Sequence, residues 1–352
     1  MRYLPSTFML FTLIFTLLLT ACSPLLAPTN SATGEVTEET NENTDELCVA
    51  PSGQALRIGV LPVLNTLPIF VAQQSGFYDQ LGVTVEIIPV DSARNRAIAQ
   101  QAGEIDVANS DAVGTVLQVN SGHDVKIVRH DTFTAEYRFF SIVAGASSGI
   151  VSVEDLISAL ATDDAQVAIS QNTIIEYLAT TMLRSAGYEP EADDYIEVAA
   201  IPIRLEQIAQ GTVATGLLPE PLTTLATEMQ GGTALIDDNG IDFIPVTLTV
   251  NQSTIDSQPG DVCAFLKAYE MAVQAIAADP EAYRDNPIRI PEPLRPTYTI
   301  PQFEPPRVPT ESEMQGVVDW MIESELIGSQ VDYEDLVDGR FMKAILEDTV
   351  SK

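Results

Sequence analysis

The run Leu56-Arg57-Ile58-Gly59-Val60 opens a strand–helix–strand pattern that sets the architecture of the folded part of this chain. A short, β-branched apolar run of this kind is typical of a buried strand. A helical pattern follows at Ile69-Phe70-Val71-Ala72-Gln73-Gln74-Ser75, and a second strand pattern follows at Val83-Thr84-Val85-Glu86. Strands that alternate with helices predict a layered α/β fold with mostly parallel sheets.

The same alternation continues to about residue 250 and falls into two sets. Strand patterns at residues 139–144 and 243–250 bracket the second set, and we interpret them as crossovers between two lobes. The sequence therefore predicts a first part of lobe 1 at residues 47–145 and lobe 2 at residues 146–242. Residues 243–352 would form a return strand and C-terminal helices that pack mainly on lobe 1.

The N-terminal residues have the three parts of a signal peptide, which we place at residues 1–21. Arg2 precedes an apolar run, and the small residues Thr20 and Ala21 precede Cys22. Leu19-Thr20-Ala21-Cys22 resembles the bacterial lipobox, which implies cleavage before Cys22 and lipidation of its thiol. The apolar run is short for a membrane span, which needs about 20 residues. Residues 22–46, rich in polar and acidic residues, are predicted to form a flexible tether.

The formal net charge is −33, from 17 basic and 50 acidic residues. Such a chain is repelled by phosphate backbones, so nucleic acid is not an expected partner. Anionic lipid headgroups repel it as well. We therefore expect contact with the membrane through the lipid anchor at the extracytoplasmic face of the cell membrane, and not through a basic patch.

Besides Cys22, the chain contains two cysteines, Cys48 and Cys263. An exported protein lies where disulfides persist, so these two form a possible disulfide. Two unpaired buried thiols are the alternative. Two cysteines cannot form a zinc site unaided, and no phosphate-binding glycine loop is present. The sequence predicts no metal site and no cofactor.

Several segments together resemble one family of transport proteins. Besides residues 56–60 and 69–78, they are Leu81-Gly82-Val83-Thr84-Val85-Glu86, Gly103-Glu104-Ile105-Asp106-Val107-Ala108, Gly211-Thr212-Val213-Ala214-Thr215-Gly216 and Val317-Val318-Asp319-Trp320. Their order and spacing resemble those of the periplasmic binding proteins (type II) that serve nitrate, sulfonate, taurine and thiamine-pyrimidine-precursor importers. The resemblance implies two α/β lobes, joined by two crossover strands, that close on a small molecule. It also implies delivery to an ABC permease, and we expect a monomer.

Ligands of open α/β sheets lie beyond the carboxyl ends of the strands, where loops and helix starts converge. Four loops qualify by their order in the chain, after the first and third strands of lobe 1 and after two strands of lobe 2. Capping of the following helices is the alternative role of their polar side chains. The predicted ligand-binding residues are Asn65, Thr66, Ser110, Asp111, Gln171, Asn172, Thr173, Glu176 and Glu220.

These four loops contain no lysine or arginine, whereas Asp111, Glu176 and Glu220 are acids. A neutral or cationic nitrogen compound, such as a pyrimidine, therefore fits them better than an anion does. Helix starts bind anions through backbone amides, so a sulfonate or nitrate remains the alternative ligand. Arg94 follows the second strand and either faces the cleft, which would favour an anion, or lies exposed on the surface.

An enzyme is the alternative class, because relatives with this fold make thiamine pyrimidine or act in menaquinone synthesis. The chain contains only two histidines, His123 and His130, and no cysteine cluster. No nucleophile-elbow pattern accompanies them. We predict that the protein is not an enzyme and that both histidines lie on the surface.

Overall fold

The described strands form two five-stranded mixed sheets in a computed structural model that describes residues 47–286 and 289–350. The predicted signal peptide, Cys22 and the predicted tether lie outside the described residues. The first sheet has the order β2-β1-β3-β10-β4 and consists of β1 (Ala55–Val60), β2 (Thr84–Pro89), β3 (Val107–Asp111), β4 (Val125–His130) and β10 (Val246–Asn251).

The second sheet repeats this arrangement with the order β7-β6-β8-β5-β9. Its strands are β5 (Phe140–Ala144), β6 (Val167–Ile169), β7 (Tyr195–Glu197), β8 (Thr215–Pro219) and β9 (Thr233–Asp237). We call the first sheet with its helices lobe 1 and the second sheet with its helices lobe 2.

One described strand in each sheet, β10 or β5, runs antiparallel to both of its neighbours. The other pairings are parallel. The prediction of mostly parallel sheets is therefore only partly met. The two reversed strands enter their sheets directly from the other lobe. An antiparallel strand needs no crossover helix within its own sheet.

Helices follow most of the strands. They are α1 (Leu67–Gln74), α2 (Phe77–Leu81), α3 (Ala93–Gln101), α4 (Ala112–Asn120), α5 (Val153–Leu160), α6 (Ile174–Ser185), α7 (Ile201–Gln210), α8 (Leu222–Thr224), α9 (Gln252–Ser257), α10 (Pro259–Ala278), α11 (Glu311–Glu323), α12 (Tyr333–Leu336) and α13 (Arg340–Val350). Among the described residues, no helix has both the length and the apolar content needed to span a bilayer.

The chain crosses between the lobes twice, between β4 and β5 and again between β9 and β10. The crossings overlap the starts of the two predicted strand patterns at residues 139–144 and 243–250, and the strands that follow each belong to one sheet. Asp238 of the second crossing accepts hydrogen bonds from the backbone nitrogens of Phe139 and Phe140, both at 3.1 Å. The two crossing segments are thus hydrogen-bonded side by side.

Close packing explains one glycine of the opening run. A β-carbon on Gly59 would lie 2.5 Å from the side chain of Ile105. Its neighbours Ile58 and Val60 are also buried. A larger residue at position 59 would therefore displace the Ile105 side chain or move β1 away from the segment that leads into β3.

A disulfide joins Cys48 to Cys263, with Cα atoms 5.3 Å apart. Cys263 lies in α10, which packs against α1 and α2 of lobe 1. The first described residues are therefore fixed covalently to lobe 1.

The C-terminal helices depart from the sequence prediction at one point. A single helix is predicted for residues 335–346, whereas the structure has α12 and α13 with a break at Val337. Val337 is extended and pairs with Ile127 of β4. Pairing with a strand that is distant in sequence thus interrupts the helix.

Candidate functional site

A small cavity lies between the lobes at the carboxyl ends of the parallel strands. Its volume is about 40 Å³, far below the several hundred Å³ of a typical open ligand pocket. Most of its wall is apolar and includes Val63, Phe139, Ile174 and Ile201. The polar residues that line it come from both lobes: Asn65, Arg96, Asn109, Ser110, Asp111, Ser170 and Arg204.

Arg204 contributes a positive charge to this cavity that no described carboxylate neutralises through an ion pair. Its side chain is fully buried and donates hydrogen bonds only to backbone carbonyls, those of Val198 at 2.8 and 3.0 Å, Leu217 at 2.9 Å and Ala199 at 3.4 Å. Burial lowers the pKa of Arg204 to about 10, so the guanidinium remains charged at neutral pH. A buried charge of this kind is costly unless a partner of opposite charge is bound.

Arg96 of lobe 1 has a carboxylate partner. Its Nη2 donates to Oδ2 of Asp111 at 2.9 Å, and both side chains are buried. The other oxygen of Asp111 caps α4 by accepting a hydrogen bond from the nitrogen of Gly114 at 2.7 Å. These two charges offset each other. Arg204 forms no such ion pair with a described carboxylate, and Glu197 acts on it only at longer range, where it raises the pKa of Arg204.

Four buried polar atoms without a hydrogen-bond partner belong to residues that line this cavity: Asn65 Oδ1, Arg96 Nε, Ser110 Oγ and Ser170 Oγ. The described residues contain ten such atoms in all, so the cavity holds a large share of them. Buried polar groups are normally paired, and each unpaired one requires an explanation. These groups could be paired by a polar molecule or by water in the cavity.

A second, open depression lies at the outer mouth of the cleft, and we call it the outer groove. Its volume is about 290 Å³, and its lining includes Arg94 of lobe 1 and Gln171, Asn172 and Thr173 of lobe 2. Arg94 pairs across the mouth with Glu197 at 3.2 Å and remains half-exposed. The structure therefore places Arg94 at the entrance of the cleft and not on the inner cavity.

The predicted ligand-binding residues divide between these places. Asn65, Ser110 and Asp111 line the inner cavity, while Gln171, Asn172 and Thr173 line the outer groove, which Asp111 also reaches.

Thr66, Glu176 and Glu220 line neither the cavity nor the outer groove. The Thr66 hydroxyl donates to the carbonyl of Val63 at 2.7 Å, and Glu176 accepts from the backbone nitrogen of Asn172 at 2.6 Å. Glu220 is bonded to Thr224 and Tyr298. These three side chains have partners within the protein.

Sequence reasoning missed Arg96, Asn109, Ser170 and Arg204. Arg204 shares the buried face of α7 with Ile201, Leu205 and Ile208. A lone arginine on the apolar face of a predicted helix was therefore an available signal. Asn109 and Ser170 lie in two of the four predicted loops, whereas Arg96 and Arg204 lie in helices.

The prediction that both histidines lie on the surface is wrong for His130. This side chain is buried, and its nitrogens lie 2.8 Å from Glu304 and 2.8 Å from the carbonyl of Ile244. His123 is half-buried beside Asn251. Neither histidine lines the inner cavity or the outer groove.

A family model described as NMT1/THI5 like matches residues 64–283. No curated protein matches this chain. Among solved structures, the periplasmic nitrate-binding protein NrtA from Synechocystis PCC 6803 is similar with a TM-score of 0.69 and 18% identity, over 85% of this chain and 90% of that chain. The periplasmic aliphatic sulphonate binding protein SsuA from Escherichia coli has a TM-score of 0.64 and 17% identity, over 81% and 92%.

A third similar structure is the desulfurization enzyme DSZB, with a TM-score of 0.61 and 13% identity, over 84% of this chain and 99% of that chain. Likeness at these identities shows a shared fold, so this chain has the periplasmic binding protein fold. The same fold serves binding proteins and at least one enzyme.

Proposed function

Because the chain belongs to the NMT1/THI5-like family, whose model matches residues 64–283, we propose that it is the solute-binding protein of an ABC importer and captures a small anion. The observation that carries this proposal is the buried, unneutralised Arg204 in a cavity between two lobes. A bound anion would neutralise this charge. The unpaired Arg96 Nε and the hydroxyls of Ser110 and Ser170 would donate to the same ligand.

The two-lobed arrangement supports capture and delivery. Similar structures include a nitrate-binding and a sulphonate-binding periplasmic protein. A ligand held by arginines from both lobes stabilises the closed form, since it contacts both lobes only when they are closed. The closed form would then present the ligand to a membrane permease. We propose that the protein does this as a monomer.

The charge of the cavity favours an anion over the neutral or cationic nitrogen compound that the sequence predicts. That prediction rests on the absence of basic residues from four loops. Arg96 and Arg204 reach the cavity from α3 and α7 instead, and Asp111 offsets only one of them. A cation would face an unneutralised guanidinium at close range in a low-dielectric site.

Binding rather than catalysis is supported by the composition of the cavity wall. Among the described residues that line it, there is no cysteine or histidine. The wall does contain Ser110 and Ser170, but a serine nucleophile is commonly activated by an adjacent histidine. Turnover of a bound compound would support the enzyme alternative instead.

For the location, we propose a lipid anchor at Cys22 on the extracytoplasmic face of the cell membrane. The lipobox-like Leu19-Thr20-Ala21-Cys22 supports this, and an acidic chain lacks the basic patch that would bind lipid headgroups. Mass spectrometry of the N-terminal peptide from membranes checks it. A mature protein without lipid on Cys22 would contradict the proposal.

Binding assays with substituted arginines test the proposed ligand class. Calorimetry would compare small monoanions (nitrate, ethanesulfonate, propanoate) with neutral pyrimidine and with ethylammonium. We expect one or more of the anions to bind, and Arg204→Met to weaken that binding by about 100-fold, as for loss of a buried charge partner. Arg204→Lys keeps the charge and should weaken it less.

Arg94→Met is the matched control, because Arg94 lies at the half-exposed mouth of the cleft. We expect it to change affinity by less than about threefold, the typical value of an exposed ion pair. Circular dichroism confirms that each variant is folded. Binding of the pyrimidine or ethylammonium, with no binding of any anion, would overturn the anion proposal and support the prediction from the sequence.

A further inference from the structure

Two asparagines of the cavity wall direct their amide nitrogens away from the cavity, toward one buried carboxylate. The Nδ2 of Asn65 donates to Oδ2 of Asp131 at 2.9 Å and to the backbone carbonyl of Asp131 at 3.2 Å. The Nδ2 of Asn109 donates to the same Oδ2 at 3.2 Å. Asn65 thereby uses both of its amide hydrogens on Asp131.

Asp131 is held from behind by a buried network. The hydroxyl of Tyr269 donates to its Oδ1, and the guanidinium of Arg129 lies 3.5 Å from the same oxygen. Arg129 also donates to Glu270 at 2.6 Å. Asp131, Arg129 and Tyr269 are fully buried. When it is ionised, this carboxylate acts as an acceptor only.

This network fixes the orientation of the Asn65 amide. Turning the amide by half a turn would place its oxygen against a carboxylate oxygen, which sets acceptor against acceptor and leaves donors unpaired. The Oδ1 of Asn65 is consequently the atom left for the cavity, and it is buried without a partner. A ligand that satisfies it must supply an O–H or N–H group.

We propose that the bound anion also carries a hydroxyl or amino group that donates to Asn65, and that Asp131 is the positioning residue that sets this requirement. This inference rests on the proposed function, because it adds a second group to the anion held near Arg204. An anion without a donor would leave Asn65 Oδ1 facing only acceptors. The same site can thus separate two anions that differ by one polar group.

Matched probes test the proposal in the whole protein. Ethanesulfonate and 2-hydroxyethanesulfonate differ by one hydroxyl, as do propanoate and 3-hydroxypropanoate. Burial raises the pKa of Asp131, so titrations are run at mildly alkaline pH to keep it ionised. We expect the hydroxylated member of at least one pair to bind about tenfold more tightly or better, the effect of one buried hydrogen bond.

Asp131→Asn should abolish this preference, since an asparagine at 131 can donate to the Asn65 oxygen and let its amide turn. Affinity for the probe without a hydroxyl should stay within about threefold of wild type. Asn65→Leu removes the acceptor itself and should also abolish the preference, which keeps the test decisive where Asp131→Asn fails to fold. Thr66→Val is the control: Thr66 is equally buried next to Asn65 but does not line the cavity, so the preference should persist.

The possible outcomes separate this inference from the proposed function. Equal binding of both members of each pair, with loss of binding in Arg204→Met, would overturn the donor requirement and leave the anion proposal intact. A preference that survives in Asp131→Asn would overturn the positioning role of Asp131. Failure of all four probes and of nitrate to bind wild type would overturn the anion proposal and this inference together.

Discussion

The Glu220 carboxyl is buried at the end of β8 between two hydroxyl groups from different parts of the chain. Thr224 Oγ1 donates to it at 2.8 and 2.9 Å, and Tyr298 of the C-terminal segment donates at 3.1 Å. Burial nevertheless raises the pKa of Glu220 to about 7. The loss of hydration is thus the larger effect, because two neutral donors replace only part of the water that an ionised carboxylate binds.

This shift predicts how stability depends on pH. The folded state holds the Glu220 proton up to about pH 7, whereas an ordinary glutamate releases it near 4.5. The free energy of unfolding should therefore fall as pH rises from about 4.5 to about 7, with a contribution from Glu220 of about 3 kcal/mol. Glu220→Gln should remove this contribution in urea unfolding measured across that range.

Glu154→Gln is the control for the Glu220 prediction, because Glu154 lies exposed on α5 of the same lobe. It should retain the wild-type pH dependence. Identical pH profiles for Glu220→Gln and wild type would contradict the raised pKa.

At the scale of elements, the site is built from the ends of strands and the starts of helices. Asp111 ends β3 and caps α4, so one carboxylate fixes a helix and orients Arg96. Ser170 follows β6, and Thr173 caps α6 through the nitrogen of Ile175. Capping residues and cavity-lining residues lie side by side here, because helix starts expose free backbone groups at the ends of the strands.

The disulfide between Cys48 and Cys263 links the first described residues to α10 covalently. It closes a loop with a sequence separation of 215 residues. Cross-links over long loops restrict the unfolded chain, so we expect the Cys48→Ala/Cys263→Ala double variant to lose about 2–5 kcal/mol of unfolding free energy. Urea unfolding measures this loss.

Ligand affinity should be unchanged in the double variant, since neither cysteine lines the cavity. A variant as stable as wild type would contradict a stabilising role for the disulfide. Lost affinity with an unchanged urea midpoint would show that the link acts on the lobes instead.

At the scale of the whole molecule, the lobes are held closed by contacts on several sides of the cavity. The backbone nitrogen of Leu64 donates to the carbonyl of Glu220 at 3.0 Å, and the backbone nitrogen of Ile201 donates to the backbone carbonyl of Asp91 at 3.1 Å. On α6 and α11, the rings of Tyr177 and Trp320 meet edge to face with centroids 5.1 Å apart. Opening the cleft would separate these pairs, because each joins one lobe to the other.

We therefore predict that ligand binding shifts an open population toward this closed form. Small-angle scattering should show a smaller radius of gyration at saturation with a binding anion. Trp320 is the only tryptophan of the chain, so its fluorescence should change on binding as Tyr177 packs against it. Trp320→Phe should bind with the same compaction but without the signal. An unchanged radius at saturation would contradict closure.

The fold could be predicted from the sequence because strand and helix periods are local. The alternation that begins at Leu56 predicts most strands and helices to within a few residues, and the crossovers follow from the family resemblance. Local patterns failed where a distant segment intervened. Val337 breaks a helix because it pairs with Ile127, and β5 and β10 run antiparallel because each enters its sheet from the opposite lobe.

The candidate site could be predicted only in part. Asn65, Ser110 and Asp111 were found because strand ends and helix starts are visible in a sequence. The positive charge in the cavity could not be predicted, because it depends on which faces of α3 and α7 are turned inward and on how Asp111 divides its hydrogen bonds. Sequence patterns thus specify local elements and their order. Packing between segments far apart in the chain brings Arg96, Arg204 and the Asp131 network close together. That packing exists only in the folded protein.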